Sequence, residues 1–165
     1  MKETNQGGNA NSSGSTLEGT VVGTLQSKGF QQISYREWKK SPAKYGDELL
    51  LTNVPFTTIY NHDGNTEFLL RSKKFGLEIR IECKWQQVPG SVDEKFPYLY
   101  LNCIEQMPEQ RIIIIIDGGG AKMGSVKWLK DACRNKKYTD ARSREKEIEV
   151  MNLAEFLVWA NKAFR

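Results

Sequence analysis

Histidine is almost missing from this chain: His62 stands alone among 165 residues. Histidine-metal nucleases, catalytic triads and zincins each need imidazoles in combination, so all three are excluded. Any hydrolytic chemistry must run on carboxylates and lysine. Cysteine is scarce too. Cys83, Cys103 and Cys133 are odd in number and widely spaced, which argues against a disulfide framework or a zinc site. Reduced, buried thiols in a cytoplasmic protein are the expected reading. Long apolar runs are absent: the longest is residues 112–116, against the roughly 20 residues of a membrane span. The start of the chain shows no basic-then-apolar signal pattern. An excess of one charge is also lacking. The net charge of +4 is compatible with a polyanionic partner without demanding one.

What remains is enough for one domain with a sizeable core. Residues 1–15 are expected to form a disordered tail, because residues 2–15 hold one alanine and nothing larger that is apolar. The domain is expected to occupy residues 16–165. It would open at Ser15-Thr16-Leu17-Glu18, a capping-box pattern. Leu17, Val21, Val22 and Leu25 recur at helical spacing, with Gly29 as the stop. A second short helix is expected at residues 34–40, ending before Pro42.

The period then changes. Residues 56–60 and 67–71 read as strands around Asn61-His62-Asp63-Gly64-Asn65, a turn with an Asp-Gly step. With residues 77–85 they make an antiparallel meander. A helix is expected from about Ser91 to residue 105. The five isoleucines before Asp117 suit a strand covered on both faces and paired in parallel. Gly118-Gly119-Gly120 reads as a tight turn. A nucleotide-binding loop fails there, because Ser125 stands where its lysine belongs. Ser125 could instead cap a helix running to Arg134. A polar, basic loop, a short strand at 148–151 and a closing helix with Leu153, Phe156, Leu157, Ala160 and Phe164 complete the chain. This order predicts an α/β sandwich around a mixed sheet.

The most informative stretch is Leu77-Glu78-Ile79-Arg80-Ile81-Glu82-Cys83-Lys84-Trp85. Alternate side chains of a strand point to opposite faces. Leu77, Ile79, Ile81, Cys83 and Trp85 therefore share one face, and Glu78, Arg80, Glu82 and Lys84 the other. Glu82 and Lys84 stand side by side, roughly 7 Å apart along the strand. A carboxylate for a metal and an ammonium for developing negative charge are what metal-assisted phosphodiester hydrolysis needs. An ordinary solvated charge pair would look the same in isolation.

The setting carries a resemblance. Helix, meander, Glu-x-Lys at the end of the third strand, helix and buried strand together resemble the PD-(D/E)XK nuclease superfamily, particularly its type II restriction-endonuclease-like members. The resemblance implies a three-layer sandwich: a mixed central sheet, an antiparallel meander plus a parallel strand, flanked by helices. Glu82-Cys83-Lys84 matches the motif triplet, and Glu67 matches the acid on the preceding strand. Glu18 matches a glutamate that many relatives place in the first helix, and Gln86 a glutamine that some carry after the lysine. Residues 90–99 also look like restriction-enzyme sequence. The motif's proline is missing, with Thr66 in its place, so Asp63 competes with Glu67 as the first acid.

The resemblance implies that Glu67, Glu82 and the Cys83 backbone carbonyl hold Mg²⁺, with Mn²⁺ able to substitute. Lys84 would orient a water or stabilise charge, and Glu18 would act through water. DNA is the implied substrate, and double-strand cutting would call for a homodimer. RNA, a junction or a repair intermediate is an alternative substrate, and a non-catalytic binding module an alternative role. For Glu18 the capping box, and for Gln86 the strand end, is an alternative account. Lys73, Lys74, Lys122, Lys127, Lys130, Arg134, Lys136, Lys137, Arg142 and Arg144 form a basic set, mostly solvated, some of which would contact phosphates. Trp38, Trp85, Trp128 and Trp159 are read as core packing.

Overall fold

The isoleucine run lies deep inside the fold. In the computed structural model, which describes residues 6–165 and their side chains from residue 14, it forms strand β5 (Arg111–Asp117). The other strands are β1 (Gln31–Ser34), β2 (Glu48–Thr57), β3 (Asp63–Ser72), β4 (Leu77–Trp85) and β6 (Glu147–Met151). They form one sheet in the order β1-β2-β3-β4-β5-β6. The helices are α1 (Gln6–Ser27), α2 (Tyr35–Lys40), α3 (Val92–Glu105), α4 (Met123–Arg134) and α5 (Leu153–Ala163).

Strand alternation sorts the sheet into two faces. Leu50, Phe68, Leu70, Ile79, Ile81, Ile113 and Ile115 pack with Leu17, Val21 and Leu25 of α1 and with Phe156 and Ala160 of α5. Ile112, Ile114 and Ile116 pack the other way, against α3 and α4. That is why an unbroken isoleucine run was needed: each face of β5 carries a helical layer. Trp85 and Trp159 join the first cluster, Trp128 the second, and Trp38 a smaller one around Leu49, Leu51 and Leu69. The architecture is a mixed α/β sandwich, antiparallel at β2-β3-β4 and parallel at β1-β2, β4-β5 and β5-β6.

Several boundaries differ from the sequence reading. Residues 1–5 of the expected tail lie outside the described residues. From Gln6 the backbone is helical, so α1 starts nine residues before Ser15. Once the Leu17/Val21/Leu25 stripe docks a helix, each residue added in front gains a hydrogen bond without a new nucleus. The Ser15–Glu18 capping box therefore does not form, and Glu18 sits mid-helix. β2 begins at Glu48 rather than at 56, because the Leu49-Leu50-Leu51 run is buried on both faces. Asp63-Gly64 belongs to β3, paired with Thr57 and Phe56. The turn itself is Thr58 to His62, closed by the Thr58 N–H on the His62 carbonyl at 2.8 Å. The edge strand β1 was not foreseen. Helix α4 starts at Met123, with Lys122 as its N-cap, while Ser125 donates its hydroxyl to Asp93 at 2.6 Å.

All strands except β3 run the same way. Their carboxyl ends, together with the start of β3, therefore lie at one end of the sheet. Open α/β sheets bind ligands at that end.

Candidate active site

The site forms where a ladder stops. β3 and β4 pair from Ser72↔Leu77 to Phe68↔Ile81 and no further, whereas β4 continues along β5 to Trp85↔Asp117. Beyond Ile81 the β3-facing backbone groups of β4 have lost their strand partner, and a buried N–H must find another. The Cys83 N–H donates to Glu67 Oε2 at 2.8 Å. Glu67 thus occupies the gap that opens between the two strands, beside the triplet.

Glu82 lies on the α3-facing side of β4 and is only 5% exposed. Lys84 donates to its Oε1, and the lysine side chain keeps 28% exposure. Glu82 Oε2 is buried with no hydrogen-bond partner among the described residues. Burial, with the facing Glu67 carboxylate adding to it, pushes the Glu82 pKa up to about 8 against the pull of Lys84. Burial works against the Lys84 ammonium, but Glu82 and Glu67 outweigh it and raise its pKa, so it stays charged. Glu18 faces the same gap from α1: burial first, then Glu67, raises its pKa.

The remaining expected site residues are placed less centrally. Gln86 follows the end of β4, and its Oε1 accepts the Val92 N–H at 3.2 Å, tying down the start of α3. Its backbone clasps the end of β5, taking the Gly120 N–H at 2.7 Å. This clasp explains the glycines: Gly118 has φ +103°, and a Cβ there would lie 2.4 Å from the Gln86 carbonyl oxygen. Asp63 is exposed at the hairpin end of β3, four residues from Glu67, and it is Glu67 that contacts the triplet. Among the described residues, no three His, Cys, Asp or Glu side chains are grouped closely enough to hold a metal by themselves.

Two features were not read from the sequence. Arg80, on the same face as Glu82, is 2% exposed and forms a two-pronged pair with Glu109, 5% exposed. It also donates to the Thr66 hydroxyl at 2.9 Å and the Val54 carbonyl at 3.2 Å. Thr66, which stands where the motif has proline, is thereby locked next to Glu67. A charge in mid-strand, two residues before the triplet, was the available signal. The second feature is Asn53, which has φ +53° inside β2. That conformation costs a non-glycine residue on the order of 1 kcal/mol, asparagine least among them. Its neighbours Thr52 and Val54 pair with Phe68 and Thr66, so the distortion lies opposite Glu67.

A buried, partnerless carboxylate oxygen tends to destabilise the metal-free protein. Glu82 binds its proton more tightly folded than unfolded, so its stabilising share is complete below pH 4.5 and is lost as pH rises towards 8. In EDTA, Glu82→Gln is expected to flatten the fall in melting temperature between pH 5 and 8. Parallel pH profiles for the two proteins in thermal melts would contradict this.

A mixed sheet that parts over two glutamates and a lysine, between two helical layers, defines a restriction-endonuclease-like α/β fold. The family model for the PD-(D/E)XK nuclease superfamily domain matches residues 9–164, and the chain belongs to that superfamily. No curated protein and no solved structure matches the chain.

Proposed function

We propose that this protein is a Mg²⁺-dependent endonuclease acting on DNA, with Glu67, Glu82 and Lys84 at its centre. The observation that carries the reading is Glu82: a nearly buried carboxylate with one oxygen on Lys84 and the other without a hydrogen-bond partner among the described residues. A hard divalent cation fits that donor set, since it binds carboxylate oxygens and would offset the burial of their charge. Glu67 and Glu82 would hold it, helped by the Cys83 carbonyl. On a strand a residue's N–H and C=O leave from the same edge, so that carbonyl faces the Glu67 gap. When bound, the ion would polarise the phosphate and acidify a water.

The chain's own residues supply the rest. Lys84, held charged by its two carboxylate neighbours, donates hydrogen bonds to the phosphate oxygens as negative charge grows on them. The Cys83 N–H fixes the Glu67 carboxylate, and Arg80 fixes the strand segment next to it. Glu18 reaches the centre from α1 through water. Gln86 shapes the β4–α3 turn at the edge of the site. Lys122, exposed at the start of α4 and at the same end of the sheet, is placed to meet a phosphate backbone.

The test is a substrate panel: supercoiled plasmid, linear duplex, single-stranded DNA, RNA duplex and a four-way junction, each with Mg²⁺, Mn²⁺ or EDTA. The expected result is cleavage of DNA in either metal and none in EDTA. Cleavage confined to RNA would overturn the DNA assignment. Binding without cleavage under every condition would support a non-catalytic module. No helix among the described residues is long and apolar enough to cross a membrane.

A further inference from the structure

A groove of about 440 Å³ opens directly onto Glu67, lined by Glu18, Val22, Gln32, Thr52, Asn53 and Phe68 among others. Its size falls within the roughly 300–1,000 Å³ of small-ligand sites. Among the described residues, no lysine or arginine lines it. Its two carboxylates, Glu18 and Glu67, belong to the metal centre proposed above, so the rest of the wall is what remains to contact a substrate. That remainder is neutral: two side-chain amides, a threonine hydroxyl and the apolar surface of Val22. Side-chain amides pair a donor with an acceptor, which matches the edges of bases and the hydroxyls of sugars. The distortion at Asn53 adds an independent observation. A left-handed asparagine interrupts β2 opposite Glu67, and backbone strain of this kind concentrates at functional sites.

We infer that Asn53 and Gln32 form a nucleoside subsite that hydrogen-bonds the neutral edge of the nucleotide next to the scissile phosphate. The inference rests on the nuclease reading above. The groove has room for a base turned out of its stack, which would lie against Val22 while the amides take its edge. The adjoining phosphate would then reach Glu67 and Lys84.

Binding of labelled DNA and RNA oligonucleotides, single-stranded and duplex, tests this by fluorescence anisotropy in EDTA and in Ca²⁺. The variant is Asn53→Gly, which accepts the positive φ without a side chain. It is expected to keep its melting temperature within a few degrees and to lose about tenfold in affinity, the size of one or two net hydrogen bonds. The dependence of affinity on salt should stay unchanged, because no phosphate contact is removed. A set of oligonucleotides with one abasic residue at each position separates base from sugar contact. If the base is read, one abasic position weakens the native protein and leaves Asn53→Gly unaffected. If the sugar is read, swapping ribose for deoxyribose there does so instead. Equal affinity of Asn53→Gly and the native protein, or a loss accompanied by a shallower salt dependence, would overturn the subsite. If the native protein binds no nucleic acid at all, the nuclease reading itself fails.

Discussion

Replacing Lys84 with alanine is expected to lower the cleavage rate by about two to three orders of magnitude, the usual cost of removing one donor aimed at developing charge. The fold should survive, because Lys84 is partly exposed and lies at the end of β4, outside both large core clusters. Glu82→Gln is expected to lose as much activity for a different reason. It keeps the shape and removes the charge that a cation would bind. The two variants should separate in their metal response. Raising Mg²⁺ should rescue part of the Glu82→Gln defect and none of the Lys84→Ala defect. Single-turnover rates across a Mg²⁺ titration measure both. A Lys84→Ala enzyme within threefold of the native rate would remove lysine from the mechanism.

The second large effect concerns stability. Arg80 and Glu109 are both nearly buried and satisfy one another with two hydrogen bonds. Removing one partner strands a charge in the interior, which costs about 3–5 kcal/mol. For a chain of this length that is a fall in melting temperature of roughly 6–20 °C, at about 2–4 °C per kcal/mol. Arg80→Met and Glu109→Leu should each show it. The double variant should recover much of the loss, since an apolar pair of similar volume replaces a buried ion pair at little cost. Calorimetric or fluorescence melts of the three variants test this. Single variants that melt within 2 °C of the native protein would mean that the pair is solvated in solution. Activity is expected to fall even in the stable double variant, because Thr66 loses the guanidinium that locks it beside Glu67.

Much of the fold was legible because its signals are local. The alternation from Leu77 to Trp85, the isoleucine run and the stripe in α1 each announce an element by period alone. Boundaries were less legible where tertiary contacts decide them. Glu48 to Thr52 joins β2 because β1 and β3 flank it, and α1 extends to Gln6 because its far end is anchored on the sheet. The polar face of β4 read as a row of charges in sequence. Its burial could not be read there, since it depends on α3 and the Arg80–Glu109 pair joining residues 29 apart. For the site, Glu82 and Lys84 were visible as a pair. The preference for Glu67 over Asp63 as the neighbour of the triplet comes from a hydrogen bond to a backbone N–H, which leaves no trace in the residue pattern. Asn53 was equally hidden, because one asparagine in an apolar run does not declare a positive φ.

The central proposal is metal-dependent phosphodiester cleavage through Glu67, Glu82 and Lys84, and nicking of supercoiled plasmid followed over time tests it most directly. In Mg²⁺ the native protein is expected to convert the plasmid to open-circular and linear forms. EDTA should stop the conversion, and Lys84→Ala should slow it by about two to three orders of magnitude. Conversion that continues at the native rate in EDTA, or with Lys84→Ala in Mg²⁺, would contradict the proposal.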